Sequence, residues 1–209
     1  MAAAEAAREP GRRLVTLGLG DQVARSTAAG GHPAPAHAIG QLPGAGSGPL
    51  AILVGMDRDA IAGVVDQALA ALPNVRGVNN HQGSAATADQ ATMTALMAVL
   101  RERDLFFLDS LTTASSVAYQ SALAAGVPTA RNRIFLDDDP DSPQTIRKRL
   151  QTLIRSARAT GAAIAIGHPH PATLSVLQQE LPRLAADGIR FVTLSELMAL
   201  REAESSGGR

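Results

Sequence analysis

The sequence predicts an α/β protein with parallel strands arranged in a sheet or a barrel. After residue 74, the hydrophobic pattern alternates regularly between helical and strand periods. This alternation is typical of parallel strands joined by right-handed helical crossovers. The stretch AAIAI at residues 162–166 is an unbroken apolar run, as expected for a strand that helices cover on both faces. A chain of 209 residues is also long enough to bury one substantial core.

The individual elements follow from local signals along the chain. Asp57 is a predicted N-cap, followed by apolar residues at helical spacing up to Pro73. Ser142 followed by Pro143 predicts another helix start, and Gly161 predicts the end of that helix. The predicted helices cover residues 57–72, 88–103, 115–125, 142–160 and 172–186, with a terminal helix capped by Ser195. The predicted strands cover residues 75–79, 105–108, 133–136, 162–166 and 189–194, with one earlier strand from Arg13 to Leu19.

The composition divides the chain near residue 49. Residues 1–48 are rich in Ala, Gly and Pro and, apart from the early strand, follow neither period, so we expect an irregular or disordered segment. Residues 49–200 are expected to form one α/β domain, and residues 201–209 a disordered tail. No apolar run reaches the roughly 18 residues of a membrane span, and the N-terminal apolar run is too short for a secretory signal.

Charge and composition narrow the classes of function. The net charge is zero, so no overall field attracts nucleic acid or an anionic membrane. Cysteine is absent, which excludes disulfides, thiolate catalysis and thiolate metal sites. Any metal is therefore held by histidine and carboxylate side chains. A phosphate-binding domain is the weakest alternative, because no glycine-rich loop between a strand and a helix precedes a Lys or Arg.

Polar side chains follow four of the predicted strands. In parallel α/β folds, functional side chains collect where the carboxyl ends of the strands meet. Four loops would then bring imidazoles and carboxylates into one small volume, which suits Zn²⁺ or another divalent ion together with an acid and a base. In chain order, the side chains are His81, then Asp109 and Ser110, then Asp137, Asp138 and Asp139, then His168 and His170.

Each of these residues also has a purely structural interpretation. A single loop histidine such as His81 is usually solvated or hydrogen-bonded, and Asp109 and Asp137 are equally suited to helix caps or Asx turns. His168 lies in a Gly-His-Pro sequence, which predicts a rigid loop that directs it at the end of a buried strand. His170 is equally suited to begin the following helix.

The residues around His81 are expected to stabilise the loop after the first of these strands. Strand ends leave backbone groups unpaired, and we expect Asn79 and Asn80 to satisfy them. Gly83 is expected to let the backbone turn tightly beneath His81.

Four sequence blocks closely resemble the divergent polysaccharide deacetylase family of bacteria. They are GVNNHQGS, DLFFLDS, the segment from GVP to IFLDD, and AIAIGHPHPATLSVLQQ, in the order and spacing of the family. The resemblance covers residues 49–200. It implies a NodB-like irregular (β/α) barrel, incomplete at its N-terminal side, and metal-assisted hydrolysis of an acetyl group from a cell-envelope glycan.

The resemblance also implies roles for individual residues. His81 matches the metal-ligand histidine, His168 the histidine that protonates the leaving group, and Asp109 a loop aspartate that orients or polarises a partner. His32 and His37 match two further family positions by spacing, although two prolines interrupt the segment GHPAPAH as a strand. Support for the substrate or the loops is expected from Asn79, Asn80, Ser84, Ser110, Asp137 and His170.

Two features depart from the family pattern. The family begins with a strand that ends in two adjacent aspartates, whereas no such pair precedes His81, and Asp21 beside Gln22 is the only candidate. Gln82 replaces the methionine that usually follows the family's histidine. Two hypotheses therefore stay open: a zinc-type metal-dependent deacetylase, and a catalytically inactive remnant of the fold with a binding role.

The resemblance and the N-terminal sequence differ on location. Family members act at or beyond the inner membrane, usually with an N-terminal signal or anchor. This sequence shows neither, so a cytoplasmic location is expected if Met1 is the true start. The expected partner is a glycan or acetylated sugar, without nucleic acid and without a membrane span, and the oligomeric state stays open.

Overall fold

The protein is known from a computed structural model that describes residues 13–19, 38–43, 51–70 and 75–206. Helices and strands mostly alternate along these ranges, and each strand pairing among them is parallel. The α/β class with parallel strands is therefore confirmed. The chain divides into two compact units, one of residues 32–132 and one of residues 1–31 with 133–209.

The unit of residues 32–132 is built on one four-stranded parallel sheet. Its elements are β2 (Ala38–Pro43), α1 (Arg58–Ala70), β3 (Val75–His81), α2 (Ser84–Ala88), α3 (Gln90–Glu102), β4 (Phe106–Asp109), α4 (Ala118–Ala125) and β5 (Thr129–Arg131). The strand order is β2, β3, β4, β5. Ile61 and Val65 of α1, Met93 and Met97 of α3, and Phe107 of β4 are fully buried in its core. These helices therefore cover the sheet with apolar faces, as their helical periodicity predicts.

The second unit combines the start of the chain with its last third. Its elements are β1 (Arg13–Leu19), β6 (Ile134–Phe135), α5 (Pro143–Thr160), β7 (Ala162–Gly167), α6 (Pro171–Ala186), β8 (Ile189–Phe191) and α7 (Leu194–Ser206). The strand order is β6, β7, β1, β8, so β1 lies inside the sheet. Val15, Leu153, Ala157 and Ala165 are fully buried in the core of this unit.

The predicted helix ends at Asp57, Ser142 and Gly161 are confirmed. Asp57 accepts the backbone N–H of Ala60 over 2.8 Å, and Ser142 accepts the backbone N–H of Thr145 over 3.2 Å. Gly161 ends α5 with φ of 84°, in the left-handed region that glycine adopts without strain. The local signals thus determine where these helices begin and end.

Three helix starts differ from the prediction, one of them that of α4, which begins at Ala118 and not at Ser115. The helix expected over residues 88–103 begins at Gln90, because the carboxylate of Asp89 accepts the backbone N–H of Thr92 over 2.8 Å and so caps α3. Residue 88 instead ends the short helix α2, which was not predicted. The terminal helix is capped by Thr193 and not by Ser195. Thr193 and Glu196 bond each other's backbone N–H groups over 3.2 and 2.8 Å, a capping box that the sequence analysis missed.

The strands contain the larger differences. β2 lies within residues 1–48, where the composition predicts irregular structure, because pairing with β3 supplies its backbone bonds without a strand pattern in its sequence. The strand predicted over residues 133–136 is reduced to β6, and β5 just before it was not predicted. β5 pairs with β4 and β6 with β7, so the two short strands belong to different sheets. The other predicted elements are present with slightly shifted ends, and the domain boundary near residue 49 stays a prediction.

None of the described helices combines the length and the hydrophobicity of a transmembrane segment.

A bidentate ion pair connects α1 to the residue that follows α3. Arg103 donates from Nε to Oδ1 of Asp66 over 2.6 Å and from Nη2 to Oδ2 over 2.7 Å. The hydrogen bond from Arg103 lowers the pKa of Asp66 below its ordinary value. A carboxyl group whose pKa is lower in the folded state stabilises the fold above its unfolded-state pKa, and this contribution is lost as the pH falls through the folded-state pKa.

We expect Asp66→Asn to reduce the loss of stability that acid causes. The wild type should lose the ion-pair contribution as the pH falls below about 5 and through the lowered folded-state pKa of Asp66, whereas the variant has no such contribution to lose. Urea unfolding at a series of pH values measures the difference, which should shrink in high salt because the pair is partly exposed. Asp59→Asn, an almost fully exposed site on the same helix, is the control. Equal pH profiles for both variants would contradict the assignment.

Candidate functional site

Polar side chains lie at the carboxyl ends of the parallel strands in both units, as predicted. His81, Asp109 and Arg131 end three neighbouring strands of the first sheet. Asp137 and His168 follow two neighbouring strands of the second sheet. The four loops predicted to share one volume belong to two different units, so the shared volume stays a prediction. The metal-ligand role of His81 also stays a prediction. His32 and His37 lie outside the described residues.

A buried carboxylate holds a histidine at the end of β7. The backbone N–H of His168 donates to Oδ2 of Asp137 over 2.5 Å, and the Thr173 hydroxyl donates to the same oxygen over 3.0 Å. Nδ1 of His168 lies 3.0 Å from the other oxygen, Oδ1. The side chain of Asp137 is 1% exposed, whereas that of His168 is 37% exposed. The carboxylate is thus enclosed by protein while the imidazole reaches the surface.

This arrangement determines which ring nitrogen of His168 carries a proton. An ionised carboxylate only accepts hydrogen bonds, so Nδ1 must donate its hydrogen to Asp137. Nε2 is then the nitrogen through which the neutral ring takes up and returns a proton. A histidine oriented by a carboxylate in this way is suited to general acid and base catalysis.

Local sequence explains how the loop after β7 presents this histidine. Gly167 ends the buried strand, and a Cβ built there would lie 3.5 Å from Oδ2 of Asp137, so the backbone passes close to the carboxylate. The backbone N–H of His170 donates to the carbonyl of His168 over 2.8 Å, which closes a tight turn. His170 then takes the N-cap position of α6, and Pro171 begins the helix.

The structural interpretation of Asp137 is wrong. As a loop aspartate before a helix it suggested a cap, but Ser142 caps α5 and Asp137 turns toward His168. Thr173 was not among the predicted site residues. It lies in the first turn of α6, where polar residues are common for other reasons, so no local signal identifies it.

His168, His170 and Asp137 form a group whose donor types suit a divalent ion such as Zn²⁺. One ligand atom from each lies within 4.8 Å of the others, and the two imidazole centroids are 5.8 Å apart. However, the two oxygens of Asp137 already take part in three hydrogen bonds and are almost inaccessible. The hydrogen bonds therefore favour Asp137 as the residue that orients His168 over a role as a metal ligand.

The first unit contains a second buried carboxylate, Asp109, whose side chain is 0% exposed. Oδ1 accepts the backbone N–H of Leu111 over 2.8 Å. This bond forms an Asx turn, as the structural interpretation of Asp109 predicted. Oδ2 accepts the Ser116 hydroxyl over 3.0 Å and lies 3.5 Å from Nε of Arg131. The Arg131 guanidinium also lies 4.7 Å above the ring of Tyr119. Asp109 therefore orients an arginine and a loop, and its implied role toward a substrate stays a prediction.

The two asparagines before His81 bind the loop after β4. Oδ1 of Asn80 accepts the backbone N–H of Ser110 over 2.9 Å, and its Nδ2 donates to the carbonyl of Gln82 over 3.2 Å. Nδ2 of Asn79 donates to the Ser110 hydroxyl over 3.0 Å. Nδ2 of Asn79 also donates to the backbone carbonyl of Asn80 over 3.3 Å. The expectation that these amides satisfy backbone groups is therefore confirmed for both asparagines. Gly83 has a φ of 74°, so the expected tight turn beneath the strand end is also confirmed.

Ser84 lies on the exposed side of the same loop. Its hydroxyl donates to the backbone carbonyl of Thr112 over 3.3 Å. Ser84 and Ser110 thus support loop structure, and contact of either residue with a substrate stays a prediction.

Comparison with known proteins decides the lineage of this chain. The model of the divergent polysaccharide deacetylases matches residues 31–198. The chain belongs to the divergent polysaccharide deacetylase family. This match includes β2, the asparagine loop and the Asp137–His168 pair, and it begins earlier than the resemblance predicted at residue 49.

Two relatives of this chain are themselves uncharacterised proteins. One, from Haemophilus influenzae, is 42% identical over 144 residues, which are 69% of this chain and 51% of the relative. The other, YibQ of Escherichia coli, is 37% identical over 151 residues, which are 72% of this chain and 47% of YibQ. The chain spans about half the length of the curated relatives it matches.

A solved structure shows the same fold. The crystal structure of an uncharacterised protein from Agrobacterium tumefaciens C58 aligns with a TM-score of 0.79 and 22% identity over 93% of this chain and 94% of that chain. The predicted NodB-like α/β fold of the deacetylase family agrees with this alignment.

For this deacetylase-family protein, we expect Asn80→Ala to destabilise the fold by about 1–3 kcal/mol, because the buried N–H of Ser110 loses its acceptor. Urea unfolding measures the change. Ser84→Ala is the matched control, since it removes one hydrogen bond at an exposed site and should change the free energy of unfolding far less. An equal, small effect of both variants would show that the asparagine amide does not support the loop.

Proposed function

We propose that this protein is a metal-assisted deacetylase that removes an acetyl group from a cell-envelope glycan. Family membership supports the class of reaction and the class of substrate. The observation that carries the proposal is the hydrogen-bonded pair of Asp137 and His168, which places a partly exposed imidazole on a buried carboxylate.

His168 is the proposed general acid. When the acetyl group is hydrolysed, the nitrogen or oxygen that remains on the sugar must gain a proton as its bond to the acetyl carbon breaks. Nε2 of His168 supplies that proton, because Nδ1 is committed to Asp137. The carboxylate of Asp137 keeps the ring in this tautomer and stabilises the positive charge of the protonated imidazole.

A divalent ion, when bound, would polarise the acetyl carbonyl and increase the acidity of a water molecule. The residues proposed to hold it are His81 and, by family spacing, His32 and His37. Imidazole ligands suit Zn²⁺, and a chain without cysteine offers no thiolate in their place. In this assignment His168 is the proton donor and not a metal ligand.

A catalytically inactive member that binds a glycan is the second candidate. One sequence observation favours it: no pair of adjacent aspartates precedes His81. Catalytic zinc sites normally use about three protein ligands, so loss of a carboxylate ligand would weaken metal binding.

We expect the purified protein, supplied with Zn²⁺ or Co²⁺, to release acetate from N- or O-acetylated oligosaccharides. His168→Ala should lower kcat by about 10²–10⁴-fold through loss of the general acid. Asp137→Asn should have a comparable effect, because an amide nitrogen facing Nδ1 favours the wrong tautomer. An assay of acetate release against substrate concentration gives kcat and KM for each variant.

Asp139→Asn, two residues away and exposed, is the control and should keep wild-type rates. A metal-loaded wild type that binds these oligosaccharides without releasing acetate would refute the catalytic proposal in favour of the inactive binding protein.

The metal assignment is tested separately, by calorimetric titration with Zn²⁺. His81→Ala should weaken binding by at least about 10-fold, since it removes a proposed ligand. His170→Ala should bind Zn²⁺ as the wild type does. The reverse result would place the ion at His168 and His170, and an absence of binding to the wild type would reject the metal-dependent mechanism.

A further inference from the structure

Thr173 is a buried polar residue without a role in the proposed reaction. It lies in the first turn of α6 and is 0% exposed. Its hydroxyl donates to Oδ2 of Asp137 over 3.0 Å. A first-turn threonine usually bonds solvent or its own helix, so this hydroxyl is directed to an unusual acceptor, the carboxylate that holds His168.

Two donors converge on the same carboxylate oxygen. Oδ2 of Asp137 accepts the Thr173 hydroxyl and the backbone N–H of His168, which leaves Oδ1 to face Nδ1 of the imidazole. Rotation about the Cβ–Cγ bond of aspartate is broad and roughly two-fold, so one donor alone determines the carboxylate plane poorly. Two donors from different directions restrict that rotation and direct Oδ1 at the ring.

We propose that Thr173 is a positioning residue that fixes the Asp137 carboxylate, and through it the tautomer and orientation of His168. This inference rests on the proposed function of His168 as the proton donor. Thr173 acts at the end of a chain of hydrogen bonds that runs from its hydroxyl through Asp137 to the imidazole.

A packing role is the competing explanation. The methyl group of Thr173 would lie 3.5 Å from a Cβ built on Gly167, so the side chain also fills space beside the strand end. Two substitutions separate the explanations. Thr173→Val keeps the shape and removes the hydroxyl, whereas Thr173→Ser keeps the hydroxyl and removes the methyl group.

The first experiment reads the ring of His168 directly. Long-range ¹H–¹⁵N spectra of the histidine rings, assigned with His168→Ala, distinguish a protonated Nδ1 from a protonated Nε2. We expect the Nδ1-protonated form in the wild type and in Thr173→Ser. Thr173→Val should give a mixture of tautomers and a shifted backbone amide signal for His168. These measurements need no substrate and no metal, so they test the positioning role even if the wild type shows no deacetylase activity.

The second experiment is the acetate-release assay. Thr173→Val should lower kcat by about 10- to 100-fold with little change in KM, since a supporting partner of a functional residue is lost but no substrate contact is removed. Thr173→Ser should retain most of the wild-type kcat despite a lower melting temperature.

The proposal is overturned if Thr173→Val keeps the wild-type ring signals and kcat. It is also overturned if Thr173→Ser loses them as the valine variant does, because the methyl group would then be the part that matters. Should the valine variant fail to fold, Thr173→Ala takes its place in both measurements. A changed ring signal in a protein without acetate release would support the positioning role and reject the deacetylase assignment alone.

Discussion

Parallel strand pairing is the constraint on which the candidate site depends. β7 pairs with β6 so that Phe135 lies opposite Ile166, and the N–H of Leu136 then bonds the carbonyl of Ile166 over 2.8 Å. This register brings Asp137, just beyond β6, to His168, just beyond β7. A slip of one residue would turn the side chains to the opposite face and separate the pair. The chemistry at the strand ends is therefore a consequence of backbone hydrogen bonding within the sheet.

Each unit contains a buried carboxylate that accepts hydrogen bonds, but the two carboxylates contact different side chains. Asp137 takes part in three hydrogen bonds, whereas Asp109 accepts two and lies 3.5 Å from Nε of Arg131. These contacts offset the several kcal/mol that burial of an unpaired charge costs. Asp109 faces Arg131, whose guanidinium offers only hydrogen-bond donors. Asp137 contacts an imidazole, a ring whose two nitrogens can both donate and accept hydrogen bonds. This difference is why the proposed function assigns proton transfer to the Asp137–His168 pair.

β1 is a structural part of the second unit, although the composition of residues 1–48 predicts mostly irregular structure. β1 pairs with β7 through Leu14 and Ala162 and with β8 through Arg13 and Ile189, so it is a central strand formed from residues distant in sequence. Such non-local pairing closes a long loop before it gains any contact, which slows folding. β1 pairs with β7, the strand that precedes His168. The strand before His168 therefore depends on a segment that the predicted boundary near residue 49 had placed outside the domain.

Local sequence determined the class of the fold, the caps at Asp57, Ser142 and Gly161, and the position of polar residues at the strand ends, because periodicity, capping and turn chemistry act between near neighbours. The motifs also identified the family. Tertiary structure alone decided that Asp137 turns toward His168 and not toward α5, that Thr173 completes this group, and that β5 and β6 join different sheets. These outcomes depend on which distant strands pair and on which donors then surround a buried carboxylate. No periodicity encodes that information, since a loop aspartate has the same sequence signature whether it caps a helix or orients a histidine.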